Sequence, residues 1–161
     1  MPRIPFRELV FAALHQHLRA SFPDLEAWRV ERNAANELPS DAILPVLRCR
    51  DGGQWIGDLR TVPEEGYRME WTVYGWVTAV QEADLSLPLY ALHGRLIEAM
   101  TAAPIVVDLP DMPLEIWLDE AGMEAPDFAG VDQSEHPTAS FEQVFSFQIT
   151  RPCGLAFVDV P

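Results

Sequence analysis

The 161-residue sequence contains no lysine, so all 11 of its basic residues are arginine, against 25 acidic residues. The absence of lysine excludes every mechanism that uses an ε-amine, including Schiff-base chemistry and the phosphate-binding lysine of the Walker A motif. The formal net charge of −14 leaves few cations to neutralise a nucleic-acid backbone. We therefore expect no stable complex with nucleic acid and no association with an anionic membrane.

Cysteine and long apolar runs are scarce as well. Cys49 and Cys153 are too few for a disulfide framework. The apolar run at residues 9–14, which follows Arg3 and Arg7, is too short for the core of a signal peptide, and no run approaches the roughly 18 residues of a transmembrane helix. We expect a protein made in the cytoplasm with two reduced thiols, and a bridge or a reactive thiol is the alternative.

Motifs for catalysis are also missing. The sequence has no G-x-S-x-G nucleophile elbow and no glycine-rich loop that leads into a helix. His15 and His17 diverge on a helix and cannot share a metal on one face. His17 and His93 lie on apolar helix stripes, where a packed, hydrogen-bonded histidine is more common than a ligand. The sequence therefore predicts no enzyme, no metal site and no cofactor.

What the sequence does contain is typical of one folded domain, residues 1–161, with a core over about residues 5–151. Hydrophobic residues make up 48% of the chain, including five Trp and eight Phe. The charge is uneven: residues 1–100 hold ten arginines and fourteen acids, whereas residues 101–161 hold one arginine and eleven acids. Two further segments stand apart, an acidic loop at 120–137 and a C-terminal extension at 152–161.

Hydrophobic periodicity predicts two amphipathic helices and several strands. The helices span about residues 5–21, with Pro5 at the start, and 86–102, with Ser86 as a cap. The predicted strands are 25–32, 43–50, 55–59 after a turn at 51–54, 67–80, 105–109, 114–119 and 139–151, and residues 155–160 form either a short strand or an arm onto another subunit. This order predicts an α+β fold: a mostly antiparallel sheet flanked by two amphipathic helices.

Aromatic residues and arginine dominate the energetics of protein interfaces, and several of them are candidate contacts with another subunit. Phe11 lies off the apolar stripe of the first helix, Trp76 lies on the partly charged face of the strand 67–80, and Phe128 lies in the acidic loop. Four arginines could face the acidic C-terminal third of a neighbour: Arg48, Arg50, Arg60 and Arg68. Their alternative is solvation, or pairing within the chain.

The layout resembles the tail terminator family of long-tailed bacteriophages, also called tail completion or minor tail proteins. The likeness covers about residues 5–151 and lies in the order of elements rather than in a signature motif. It rests on a helix end LRASFP (18–23), an early strand AILPVLRC (42–49), a long strand RMEWTVYGWV (68–77), a helix (89–100) and a closing strand FEQVFSFQIT (141–150).

The resemblance implies a non-enzymatic structural protein of the virion tail and neck, assembled in the host cytoplasm. Members form a ring, typically six-fold, that caps the head-proximal end of the tail tube. Their partners are copies of themselves, the tail tube protein and the head-completion or neck proteins, and DNA only passes through the lumen. The loop 120–137 and the extension 152–161 would then be lumen-facing, tube-facing or subunit-clasping segments.

Other readings of the sequence remain open. Within the same class, the chain could be another ring component of the neck or tail tube. An enzyme would be a small acidic metal-assisted hydrolase that uses His93 or His136 with nearby carboxylates. A third class is a monomeric binding module whose acidic loop docks a basic partner.

Overall fold

The structure is a computed structural model that describes residues 3–34, 38, 42–61, 64–109, 113–128, 136–152 and 155–159, with the backbone alone for 54–61, 64–65 and 152. Within these residues, two α-helices, α1 (Phe6–Ser21) and α2 (Ser86–Thr101), accompany nine strands. The strands are β1 (Arg3–Pro5), β2 (Val30–Arg32), β3 (Val46–Thr61), β4 (Glu64–Thr78), β5 (Ile105–Val107), β6 (Leu114–Ile116), β7 (Asp119–Met123), β8 (Thr138–Pro152) and β9 (Phe157–Asp159).

The main sheet has five strands in the order β2-β3-β4-β8-β7. All neighbours are antiparallel except β2 and β3, which are parallel. Two small antiparallel pairs complete the fold, β1 with β9 and β5 with β6. This arrangement confirms the predicted α+β class, with its mostly antiparallel sheet and two helices.

The two faces of the sheet differ because successive side chains of a strand point to opposite sides. On β4 the odd-numbered residues from 67 to 77 are buried, and on β8 the odd-numbered residues from 139 to 149 are buried. We call this side the inner face and the other the outer face. The inner face includes Trp71, Phe145 and Phe147, each at most 1% exposed. Burial of one such large side chain contributes about 1.5–3 kcal/mol.

Both helices pack on the inner face, where α1 buries a wider surface than its sequence indicates. Phe11 was predicted to lie off the apolar stripe, and this is wrong. The side chain is fully buried, and its ring meets Phe147 of β8 edge-on at 6.1 Å between centroids. Phe11, Leu14 and Leu18 form a row at helical spacing, because α1 packs against β5, β2 and α2 as well as the sheet side. Phe11 is therefore a core residue of the chain and not a surface contact.

Helix α2 begins close to the predicted position, but without the predicted cap. Leu85 precedes the helix, and no side chain caps its N-terminus. The buried residues Leu89, Leu92, Leu96 and Met100 follow the predicted stripe. His17 Nε2 on α1 lies 3.0 Å from the Ala99 carbonyl oxygen, and this hydrogen bond joins the two helices.

The predicted turn at 51–54 is wrong, because β3 continues through it. Its register against β4 shifts between Asp51 and Gln54, as at a β-bulge. A Cβ at Gly52 would collide with the backbone of Glu70 on β4, so this close approach requires glycine. The residues after the bulge therefore extend the same strand and do not return antiparallel to it. The Arg7 guanidinium of α1 donates to the Gly52 carbonyl oxygen.

Part of the predicted acidic loop is ordered against the sheet. Residues 119–123 form β7 on the edge of β8, and Asp127 makes an isolated antiparallel bridge with Ser140. Pairing with the edge of the sheet satisfies backbone hydrogen-bonding groups of this segment. The segment is therefore held in place although its sequence has little hydrophobic periodicity. Residues 129–135 of the loop lie outside the described residues. The C-terminal segment forms the strand β9, which pairs with β1 of the same chain.

An ion network centred on Arg32 joins α1 to the β2 edge of the sheet. The guanidinium donates to both carboxylate oxygens of Glu8 at 2.6 and 2.9 Å, and to those of Asp51 at 2.7 and 3.1 Å. The hydrogen bond from Arg32 holds the pKa of the Glu8 carboxyl below its ordinary value. The network fixes the start of α1 over the bulge of β3.

Candidate interaction surface

The outer face carries a ladder of aromatic and arginine side chains on adjacent strands. Tyr74 and Trp76 are two residues apart on β4, and their rings stack at 6.0 Å with an interplanar angle of 24°. The guanidinium of Arg48 on β3 lies 5.8 Å from the Trp76 ring centroid, and that of Arg50 lies 5.8 Å from the Tyr74 ring centroid. Cation–π contacts of this kind contribute about 0.5–1 kcal/mol at exposed sites.

Arg48 has a different place from the predicted one. Its Nε donates to Glu31 Oε2 at 2.6 Å, and the side chain is only 10% exposed. The parallel register of β2 and β3 sets Glu31 directly beside Arg48. The prediction that Arg48 faces an acidic neighbour is therefore corrected: its charge is compensated within the chain.

The other three arginines predicted as subunit contacts lie in different places. Arg50 and Arg68 are exposed on the outer face, Arg50 beside Tyr74 and Arg68 opposite Gln148 in the register of β4 with β8. Arg60 lies on β3, where its side chain falls outside the described residues. The structure brings Arg48, Arg50 and Trp76 together, whereas Arg68 lies further along β4. Contact with a second subunit stays a prediction for Arg50, Arg60 and Arg68.

Beside the ladder lies an acidic cleft of about 170 Å³ at the β8 edge of the outer face. The backbone of residues 124–127 runs along β8, since Glu124 N donates to the Glu142 carbonyl at 3.1 Å and Asp127 N to the Ser140 carbonyl at 3.0 Å. We call this feature the acidic cleft. It is lined by Tyr74, Trp76, Glu124, Ala125, Asp127, Ser140, Phe141 and Glu142.

Three carboxylates line the acidic cleft, and the Arg50 guanidinium lies beside Tyr74 at its border. The Tyr74 hydroxyl donates to Glu142 Oε1 at 3.4 Å, and partial burial, together with the charge of Glu142, raises the pKa of Tyr74. Glu124 and Asp127 are exposed, and within the described part of the chain neither has an ion-pair partner. Exposed carboxylates without an ion-pair partner form a site that is suited to a cationic group.

Sequence reasoning identified Trp76 in this region but missed Tyr74, Glu124, Asp127 and Glu142. Tyr74 and Glu142 share the outer-face parity of their strands, a signal that the sequence does contain. The position of residues 124–127 beside them depends on edge pairing, which the sequence does not show. Phe128, 41% exposed, follows this segment directly, and its role as a subunit contact stays a prediction.

On the helix side of the molecule, Arg19 lines an open groove of about 390 Å³ near the β2 edge. Arg19 lies in the last turn of α1 and is exposed. Within the described residues it has no ion-pair partner, whereas the nearby Asp24 is paired with Arg95 at 2.6 Å. We call this feature the Arg19 groove, and its other lining residues are Gln16, Ala20, Leu25, Ala27 and Val30.

Three of the four histidines and the described cysteine are embedded in the packing of the chain. His93 Nε2 lies 2.8 Å from the amide oxygen of buried Gln143, and its ring meets Phe141 edge-on. His15 Nε2 lies 2.9 Å from the Val30 carbonyl oxygen. Cys49 is buried, and desolvation raises the pKa of its thiol to about 12. Cys153 lies outside the described residues.

The described residues contain neither a cluster of metal-ligating side chains nor a membrane-spanning helix. In the described part of the chain, no three His, Cys, Asp or Glu side chains are placed so that they could share a metal ion. Neither α1 nor α2, nor any other helix described, is long and apolar enough to cross a bilayer. His136, named above as a candidate ligand, lies on the surface before β8.

The fold and the outer face together define an α+β fold with a polar, aromatic surface on one side of its sheet. No protein-family model matches the sequence, and no curated protein matches it.

Proposed function

We propose that this chain is a structural subunit of the virion, a tail terminator that forms a ring on the head-proximal end of a phage tail tube. The observation that carries the proposal is the outer face, where both helices are absent and an aromatic–arginine ladder borders the acidic cleft. Tyr, Trp and Arg are the residue types that dominate the energetics of protein interfaces.

Two further features support this role. The order of elements on which the family resemblance rests corresponds to one layer of helices on one face of a sheet, which leaves the other face for a neighbour. The net charge of −14 suits a ring through which DNA passes without binding. In this role the chain contacts other copies of itself, the tail tube protein and the head-completion or neck proteins.

The first test is the native mass of the purified chain over a wide concentration range, with negative-stain imaging of any large species. A closed particle of six 18.1 kDa chains, about 109 kDa, with a central hole is the expected result. A second assay adds the protein to polymerising tail tube protein, where a terminator shortens the tubes and labels one end. Full-length tubes without end labelling would overturn the proposal.

A second candidate is a monomeric module that docks a basic protein, and the acidic cleft is the observation that favours it. The same mass measurement separates the two functions. A monomer at all concentrations that forms a salt-sensitive one-to-one complex with a basic partner would support the module.

A further inference from the structure

The acidic cleft and the Arg19 groove lie at opposite ends of the fold. The cleft is on the outer face beside β8, next to the edge strand β7. The groove is on the helix side, beside β2, the other edge strand of the sheet. A contact between two such surfaces is heterologous: it leaves one copy of each surface free on every pair, so it continues from subunit to subunit. Such a contact forms a ring when the rotation between neighbours closes.

The two surfaces are also complementary in charge and chemistry. Glu124 and Asp127 in the cleft have no ion-pair partner in the described part of the chain, and Arg19 has none either. A guanidinium can bind a carboxylate through two parallel hydrogen bonds, and the cleft offers Glu124 and Asp127 for this. These carboxylates lie beside Tyr74 and Trp76, whose rings contact the Arg50 and Arg48 guanidiniums of the same chain.

A second copy of the chain supplies the cation that fits this site. The chain has 11 arginines and no lysine, so the side chains that stay positively charged in a self-contact are guanidiniums. Arg68 is also exposed, but it lies on the same face as the cleft, and a contact of that face with itself closes a two-fold dimer. Arg19 lies on the helix side, away from the cleft, so its contact with the cleft of another copy is heterologous.

We propose that Arg19 of one subunit inserts into the acidic cleft of the next, between its carboxylates and the Tyr74–Trp76 pair. This inference rests on the proposed function, because it names the contact through which the ring closes. It also gives the acidic segment 124–127 a defined role as the acceptor of a neighbour's arginine.

The test uses two charge reversals in the full chain, Arg19→Glu and Asp127→Arg, with assembly followed by native mass spectrometry and analytical ultracentrifugation. Each variant alone should weaken assembly about tenfold or more, because like charges then face each other. An equal mixture should restore the ring, because the two variants can alternate around six subunits. Each contact then joins an acidic surface of one variant to a basic surface of the other. Restoration by mixing also proves that both variants are folded.

Two matched controls carry the same charge changes elsewhere. Arg68→Glu reverses an exposed arginine outside the Arg19 groove, and Glu115→Arg reverses an exposed carboxylate of β6 that does not line the cleft. Glu115→Arg should assemble as the wild type does, and Arg68→Glu, at a predicted contact with a second subunit, should weaken assembly less than Arg19→Glu does. If Arg68→Glu disrupts assembly and Arg19→Glu does not, the contact is a two-fold one and the inference is overturned.

The outcomes separate this inference from the proposed function. If the wild type and both charge-reversal variants form the same ring, the Arg19 contact is overturned and the ring function stands. If the wild type stays monomeric at all concentrations, the inference is overturned. The assay with polymerising tail tube protein then remains as the test of the proposed function. Binding of a basic protein by wild type, lost in Asp127→Arg but kept in Arg19→Glu, would overturn the inference in favour of the docking module.

Discussion

The inner and outer faces of the sheet are built from alternate residues of the same strands, yet they differ in almost every physical property. On the inner face, Trp71 and Phe145 are fully buried and their rings lie 6.0 Å apart beneath the helices. On the outer face, Tyr74 and Trp76 are partly exposed, and each has an arginine guanidinium beside it. Apolar packing dominates one face, and charge with partial burial dominates the other.

The difference teaches that the stability of this chain and its candidate contacts are separable. Inner-face substitutions remove buried apolar contacts, whose loss costs several kcal/mol. Outer-face substitutions remove contacts that water partly screens, so they cost little in an isolated chain. A variant of the outer face can therefore test assembly in a protein that remains folded.

The largest expected effect is on the inner face. Phe145→Ala leaves a cavity in the core and should lower the free energy of unfolding by about 3–5 kcal/mol, measured by urea denaturation. Phe128→Ala is the matched control, since Phe128 is 41% exposed and should cost about 1 kcal/mol at most. If Phe145→Ala is too unstable to purify, Phe145→Leu should still lose about 1 kcal/mol. Equal losses in the two alanine variants would contradict the comparison.

Alanine substitutions at two glycines should change the stability by smaller amounts and in opposite directions. A Cβ at Gly75 would collide with the Phe141 ring, so Gly75→Ala should destabilise the chain by about 1–3 kcal/mol. Gly94 lies within α2, with nothing inside 4 Å of its Cβ position, so Gly94→Ala should stabilise by about 0.5–1 kcal/mol. Thermal unfolding of both variants checks the signs, and a Gly75→Ala protein as stable as wild type would mean that the ring moves freely.

On the outer face, Trp76→Ala should lower the free energy of unfolding by only about 0.5–1.5 kcal/mol, because the stacking on Tyr74 and the contact with Arg48 are partly exposed. Trp117→Ala, which removes a side chain 56% exposed on the surface, should change it by about 0.5 kcal/mol at most. Under the proposed function, Trp76→Ala also weakens assembly and Trp117→Ala need not. Denaturation and native mass on the same samples compare the two effects. A loss as large as that of Phe145→Ala would remove the distinction between the faces.

The smallest effect is a pH dependence at the Arg32 network. The pKa of Glu8 is lower in the folded chain than its ordinary value of 4.5, so its contribution is present above pH 4.5 and is lost as the pH falls through the folded pKa. Half of the Glu8 side chain is exposed, so this contribution is less than about 1 kcal/mol. Glu8→Gln should lose less stability than wild type between pH 7 and pH 3, measured by urea denaturation. Glu120→Gln, at an exposed residue of β7, should follow the wild-type curve, and identical curves for all three proteins would refute the role of Glu8.

Local periodicity was enough to predict much of the fold. The alternation along 67–80 and 139–151 correctly separated the two faces of β4 and β8, and the stripe of α2 was correct at each buried leucine. Periodicity failed where the backbone departs from a regular repeat. Glycine at position 52 indicated a turn but permits a bulge, because the same lack of a Cβ serves both structures.

The candidate site was less predictable, because it depends on contacts between distant parts of the chain. Arg48 and Trp76 were identified from residue type, yet the partner of Arg48 is Glu31, which the parallel pairing of β2 and β3 brings beside it. Phe11 was misplaced because the number of elements packed around α1 sets the width of its buried face. No local pattern encodes either fact.

By itself, the sequence determined the class of fold and the excess of negative charge. It also determined which residues of β4 and β8 lie on the inner face and which lie on the outer face. These properties follow from the repeat of apolar residues and from composition, both of which are local. Only the tertiary structure decided which charges of the described residues are compensated within the chain. Strand register and edge pairing bring Tyr74, Glu142 and Asp127 together from three separate segments, and that proximity creates the acidic cleft.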